Sequence, residues 1–318
     1  MRKYMTEFTL STYASSGLLI EANQLNMIEW PDNKYHIYMI LGHPVIYTKP
    51  GEYRCTKEFI EVGLYKTVNG IETPLHPLRF ALVEGIDHSI FTPSSSYPYD
   101  SISLTSPNGK TRVFIQQLYD KFVKYMKYLE FDVFYVGQSY GKEGSRNALD
   151  RLSSHSTLQD ILLGCQSRYS DRFIYLLLLE FDYRIVASMD GTIKEFSKTD
   201  SEDKARIEKV ISTLSQEMQV INITEAALIN HFKPEYNEKF VENFPAPEHK
   251  SYRHYYDCDY RDIVVELNIS FDPPPIKLNT NSASFNLNND MIHYDLNNDD
   301  TRYSMYDIFN PSRIFKPK

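Results

Sequence analysis

Asp132-Val-Phe-Tyr-Val-Gly-Gln-Ser139 is the stretch on which the fold turns. Its apolar β-branched and aromatic residues run into a glycine and two polar residues, the pattern of a strand ending in a loop. Gly137 lets another backbone or a phosphate come close. The Gly141 to Gly144 segment then carries the chain toward a helix, with Ser145 as its expected N-cap. From about Arg146 that helix sets Arg151 and His155 at i and i+4, on one face. Ser156-Thr-Leu-Gln159 has the form of a capping box that opens a second helix through Ile161-Leu-Leu163. Arg172 to Phe181, nearly continuous in apolar residues, is expected as a central strand covered on both faces. A charged helix is expected from about Ser201 to Met218. Thr224 then caps a short helix carrying Glu225, Leu228 and Ile229, which stops at Lys233-Pro234 ahead of Tyr236-Asn237.

Outward from this region, residues 1–110 hold short β-type runs at Phe8 to Tyr13, Tyr35 to Leu41, Glu58 to Tyr65 and Leu78 to Val83. Turn signals such as Lys49-Pro-Gly51 and Asn69-Gly70 separate them, so this part reads as a β-rich region. Val113, Leu118, Phe122, Tyr125, Met126 and Leu129 recur at helical spacing and predict a helix bridging to the middle segment. Residues 111–245 form that middle domain with its leading helix. Residues 246–318 read as a C-terminal extension: one strand candidate, Ile263 to Ile269, then Asp272-Pro-Pro-Pro275 and an Asn-rich stretch expected as a tail or extended arm.

Composition limits the function classes. Hydrophobic residues at 42% and charged residues at 24% are globular values. Three scattered cysteines without metal spacing, and no apolar leader, predict a reducing cytoplasm. The longest apolar run, Phe173 to Leu179, is far short of the roughly 20 residues of a membrane helix. Net charge is −8, which excludes coating nucleic acid by bulk electrostatics. The span 130–245 is itself acidic, with 13 Lys/Arg against 19 Asp/Glu, so any contact with phosphate must be local.

Several of these residues, in this order, resemble the GIY-YIG nuclease family over about residues 131–240. Phe134-Tyr-Val-Gly137 is similar to the second half of the family's name motif, and Arg151-x3-His155 to its arginine and downstream histidine. Glu225-Ala-Ala-Leu-Ile229, followed by Phe232-Lys-Pro-Glu-Tyr-Asn237, resembles its metal-binding glutamate and closing Lys-Pro-x-Tyr-Asn. No Gly-Ile-Tyr strand stands shortly before Asp132. The first tyrosine is left open among Tyr97, Tyr99, Tyr119 and Tyr125, and the missing strand is expected from upstream of the Val113 to Leu129 helix. The resemblance implies an α/β (α+β) fold with a small three-stranded mixed sheet flanked by helices, in which the strands at Asp132 to Val136 and Arg172 to Phe181 lie side by side.

The resemblance also implies a chemistry. A carboxylate such as Glu225 holds one hard divalent cation, Mg²⁺, and Arg151 offers a planar fork to phosphate oxygens. Tyr135 stands near the attacking water, His155 assists proton transfer or phosphate binding, and Asn237 orients the site. Taken singly, Tyr135 reads as a packed strand aromatic, Arg151 and His155 as a solvated helix face, and Glu225 as a favourable charge in a first helical turn. Their common order favours the site. The expected function is a metal-dependent endonuclease, DNA rather than RNA its preferred partner, of restriction or phage-defence type. Two alternatives stay open: an inactive scaffold of the same fold that binds a protein partner or a second copy, and an unrelated α/β interaction module with a disordered tail.

Overall fold

The computed structural model describes residues 3–25, 34–82, 85–122, 129–139, 152, 156–167, 171–189, 195–213, 216–269, 276–287, 290–297 and 302. Two strands come first, β1 (Thr6–Glu21) and β2 (Ile37–Pro44). A lobe follows in which β3 (Ile46–Tyr47), β4 (Tyr53–Cys55), β5 (Ile60–Val68) and β6 (Ile71–Phe80) make one small sheet. A second small sheet is made by β7 (Thr92–Ser94), β8 (Ser101–Ser106) and β9 (Gly109–Phe114). The chain continues through α1 (Ile115–Phe122), β10 (Leu129–Gln138), α2 (Ser156–Ser167) and β11 (Arg172–Met189). Helices α3 (Asp200–Ser212), α4 (Glu217–Phe232) and α5 (Arg253–Asp257) come next. The last strands are β12 (Asp262–Glu266), β13 (Ile276–Asn279), β14 (Ser284–Asn286) and β15 (Met291–Asp295).

Among the described residues strand makes up 45% and helix 25%, and the dominant element is a curled eight-stranded mixed sheet in the order β14-β13-β10-β2-β11-β1-β12-β15. This corrects the expectation of a small three-stranded sheet flanked by helices. The cause is edge protection. β1 pairs along nearly the whole of β11, from Thr6 opposite Met189 to Glu21 opposite Tyr175, and β13 covers the outer edge of β10 at Leu129 to Asp132. Backbone groups that a three-stranded sheet would leave open are paired instead. The sheet therefore draws strands from all three sequence segments.

β2 is the pivot. It pairs antiparallel with β10 on one side and with β11 on the other. The two strands expected side by side are thus separated by one strand, and that strand comes from far upstream. Its sequence, Ile-Tyr-Met-Ile-Leu-Gly, alternates between two buried faces: Ile37, Met39 and Leu41 in one cluster, Tyr38 and Ile40 in the other. β11 does the same, with Tyr175, Leu177 and Leu179 on the first face and Ile174, Leu176 and Leu178 on the second. Period-two burial on both sides makes a central strand. The first cluster is continuous with the lobe through Ile60, Val62, Leu64, Ile102 and Leu104, so the lobe shares the main core. Leu158 and Ile161 of α2 cover the second face.

Two further expectations are corrected. Val113 lies in β9 and Leu129 opens β10, so the described helix between them is α1 alone. The Asn-rich stretch is no tail over residues 276–297, which supply three sheet strands. Arg302 is fully buried, its Nε donating to Glu7 Oε1 at 3.1 Å and its Nη1 to Asp259 Oδ1 at 2.6 Å.

Candidate functional site

The Tyr-Val-Gly strand is shaped by a register shift between Val133 and Tyr135 opposite β2. One extra residue in the strand brings Phe134 and Tyr135 to the same face, while Val133 and Val136 stay on the other. Across the ladder Gly137 faces Tyr38. A Cβ at Gly137 would stand 2.6 Å from the Tyr135 ring and 2.7 Å from the Tyr38 hydroxyl, so glycine is what lets both rings lie over this point. The rings are 6.1 Å apart between centroids and tilted by 34°.

The turn after α4 closes the outer edge of β10. Lys233 ends the helix in the left-handed conformation, φ 47°, its N–H donating to Ile229 O. The chain then comes alongside β10: Tyr236 N–H donates to Phe134 O at 3.1 Å. The Asn237 amide grips Val136 twice, accepting from its N–H at 2.9 Å and donating to its carbonyl at 2.8 Å. Asn237 thus continues the sheet with a side chain where no strand does.

Helix α4 packs Ile221, Ala227 and Leu228 into the core and turns Asn222, Glu225 and Ile229 toward a cleft of about 650 Å³. Tyr135, Gln138, Asn222, Glu225, Asn237, Glu238, Lys239 and His249 line it. Gln138 Nε2 donates to Asn222 Oδ1 at 2.6 Å, which ties the end of β10 to the helix. Three of the expected site residues, Tyr135, Glu225 and Asn237, therefore share one cleft although the sequence spreads them over a hundred positions. Arg151 and His155 lie outside the described residues; Thr157 lines the cleft.

Sequence reasoning missed Tyr38. Of the candidates it offered, Tyr97 lies 86% exposed in the lobe, Tyr99 sits beside it, Tyr119 packs against His43, and Tyr125 is outside the described residues. Tyr38 stands about a hundred residues upstream of Tyr135, because the lobe lies between their two strands in the sequence. His249 was missed as well, since its spacing from the other histidines fits no ligand pattern.

The cleft's carboxylates and amide oxygens are hard donors of the kind Mg²⁺ takes. Elsewhere among the described residues, Asp262, His293 and Asp295 stand close enough to share an ion. Asp295 Oδ1 already accepts from Arg261 Nη1 at 2.6 Å, and Asp262 Oδ2 is 3.1 Å from His293 Nε2. With a guanidinium on one ligand atom, that set is an ion-pair cluster holding β15 to β12.

No helix among the described residues is long and apolar enough to cross a membrane. Compared with known proteins, the chain matches no family model, no curated protein and no solved structure.

Proposed function

We propose that this protein is a metal-dependent endonuclease with a GIY-YIG-type site, cutting phosphodiester bonds in nucleic acid, DNA in preference to RNA. The observation that carries the reading is the meeting of four residues from separate segments: Tyr38 against Tyr135 across a ladder, with Tyr135, Glu225 and Asn237 around one cleft. A packed core needs aromatic residues, but it does not need a carboxylate, an amide and a tyrosine at the same opening.

In this reading Tyr135, the half-buried ring of the pair, stands at the attacking water, and the fully buried Tyr38 fixes its position. Mg²⁺ held by Glu225 would supply positive charge to the phosphate oxygens. Asn237 holds β10 in place, and Lys239 gives the substrate backbone a local cation in an otherwise acidic chain. The cellular setting that fits is cytoplasmic restriction or phage defence.

A second reading, an inactive scaffold that binds a protein partner or a second copy, is favoured by the net charge of −8 and by a second carboxylate, Glu238, lining the same cleft as Glu225. One experiment separates them: plasmid DNA and structured RNA incubated with Mg²⁺ or with chelator. Cleavage that needs Mg²⁺ and falls ~10²-fold or more in the nearly isosteric Glu225→Gln supports the nuclease. Cleavage unchanged in Glu225→Gln refutes the site, and none at all from the wild type leaves the scaffold.

A further inference from the structure

We propose that His249 is the proton acceptor of this cleft, taking the proton of the water that attacks phosphorus; the proposal rests on the nuclease reading above. The imidazole lines the cleft with Tyr135, Glu225 and Asn237, yet it comes from beyond the Lys233 to Asn237 turn, outside the segment that carries the family resemblance.

Three contacts fix the ring. It stacks on Tyr252 with centroids 4.8 Å apart and 11° between planes. Phe240 meets it edge-on at 4.9 Å, and Ser251 Oγ lies 2.7 Å from Nδ1. Tyr252 is fully buried, so the platform under the imidazole belongs to the core. A hydroxyl can take either side of that bond, and in the tautomer whose Nδ1–H donates to Ser251 Oγ, Nε2 carries the lone pair that takes the proton. Among the groups around the cleft, an imidazole is well suited to the task. A phenol with an ordinary pKa near 10 is a poor acceptor at neutral pH, Lys239 is a cation, and Glu225 would hold the metal.

The step balances without a further reagent. The water oxygen bonds to phosphorus, its proton passes to His249 Nε2, the bond from phosphorus to the departing sugar oxygen breaks, and that oxygen takes a proton from solvent.

The test uses the full chain, Mg²⁺ and supercoiled plasmid, with Glu225→Gln alongside. His249→Phe keeps a ring on Tyr252 and Phe240 but has no nitrogen; we expect an unchanged melting temperature and a kcat lower by ~10²-fold or more. His249→Ala should be equally slow and should regain activity when free imidazole is added, which a merely structural role would not produce. Wild-type rates in both variants, with Glu225→Gln inactive, overturn the role of His249 alone. A slow His249→Ala that ignores imidazole overturns proton transfer. A wild type that cuts neither DNA nor RNA overturns this proposal and the nuclease reading together.

Discussion

Tyr38 and Tyr135 lie on neighbouring antiparallel strands with ring centroids 6.1 Å apart, and the space they occupy exists because residue 137 has no side chain. Tyr38 is fully buried, whereas Tyr135 reaches the cleft. The pair is a layered arrangement, one ring supporting the other.

From this follows a difference between two conservative changes. Tyr135→Phe removes a hydroxyl at the cleft and should lower cleavage ~10²-fold or more while leaving thermal stability nearly unchanged. Tyr38→Phe should act in the opposite proportion, costing ~1 kcal/mol of stability and less activity, because its hydroxyl acts only through packing and hydrogen bonding. Paired denaturation curves and plasmid-cleavage rates check this; equal activity losses in the two would refute the layered roles.

Gly137→Ala should be worse for the fold than either. Its Cβ would meet two rings at 2.6–2.8 Å, and the buried Tyr38 has little room to move. Overpacking of this kind costs ~1–3 kcal/mol. A urea midpoint identical to wild type would show that the rings do not meet over Gly137.

Arg302 should matter as much as any core residue despite standing 16 residues from the end of the chain. Its guanidinium satisfies the fully buried Glu7 and also Asp259, and its carbonyl accepts from Arg261 Nε at 2.9 Å. Arg302→Met leaves Glu7 with Arg206, 3.6 Å away, as its ion-pair partner among the described residues, and breaking a buried pair from one side costs ~3–5 kcal/mol. Arg302→Met with Glu7→Gln should recover part of that loss. Chemical denaturation of the three variants measures it, and an Arg302→Met midpoint at the wild-type value would refute the latch.

A pH signature is expected from α1 and β2. Burial pushes the Asp120 carboxyl up to about 6 even though Tyr175 and Gln116 donate to it, and burial pushes the His43 imidazole down to about 4. The signs are opposite. An acid held above its ordinary value of 3.8 costs the folded state nothing below that value and its full penalty above about 6. A histidine held below 6.5 costs nothing above that value and progressively more as pH falls toward 4. Asp120→Asn should therefore stabilise the protein by about 2 kcal/mol at pH 8, with the gain vanishing near pH 4. It should also steepen the loss of stability between pH 6.5 and 4 that His43 causes. Melting temperatures measured from pH 4 to 8 decide the matter; a gain independent of pH would rule out a titrating Asp120.

By itself, the sequence determined the local elements whose signals are short-ranged. The apolar run at Phe173 to Leu179 could only be a buried strand, α2 and α3 open close to where they were expected, and Lys233-Pro234 had to end α4. The resemblance grouped Tyr135, Glu225 and Asn237 as an expectation, and the structure brings these three to one cleft. Tertiary structure decided what lies between. Hydrogen bonds between strands carry no sequence spacing, so nothing near Asp132 could reveal that its partner strand begins at Ile37 or that a whole lobe separates the two. The same holds for the edges: β13 to β15 look like a polar tail, since one face of each short strand is all that needs to be apolar, and only the open edges of β10 and β12 show why they fold back. His249 entered the cleft for that reason. Its ring is set locally by Ser251 and Tyr252, but Glu225, about 25 residues away, reaches the same cleft only through the packing of α4 on the core.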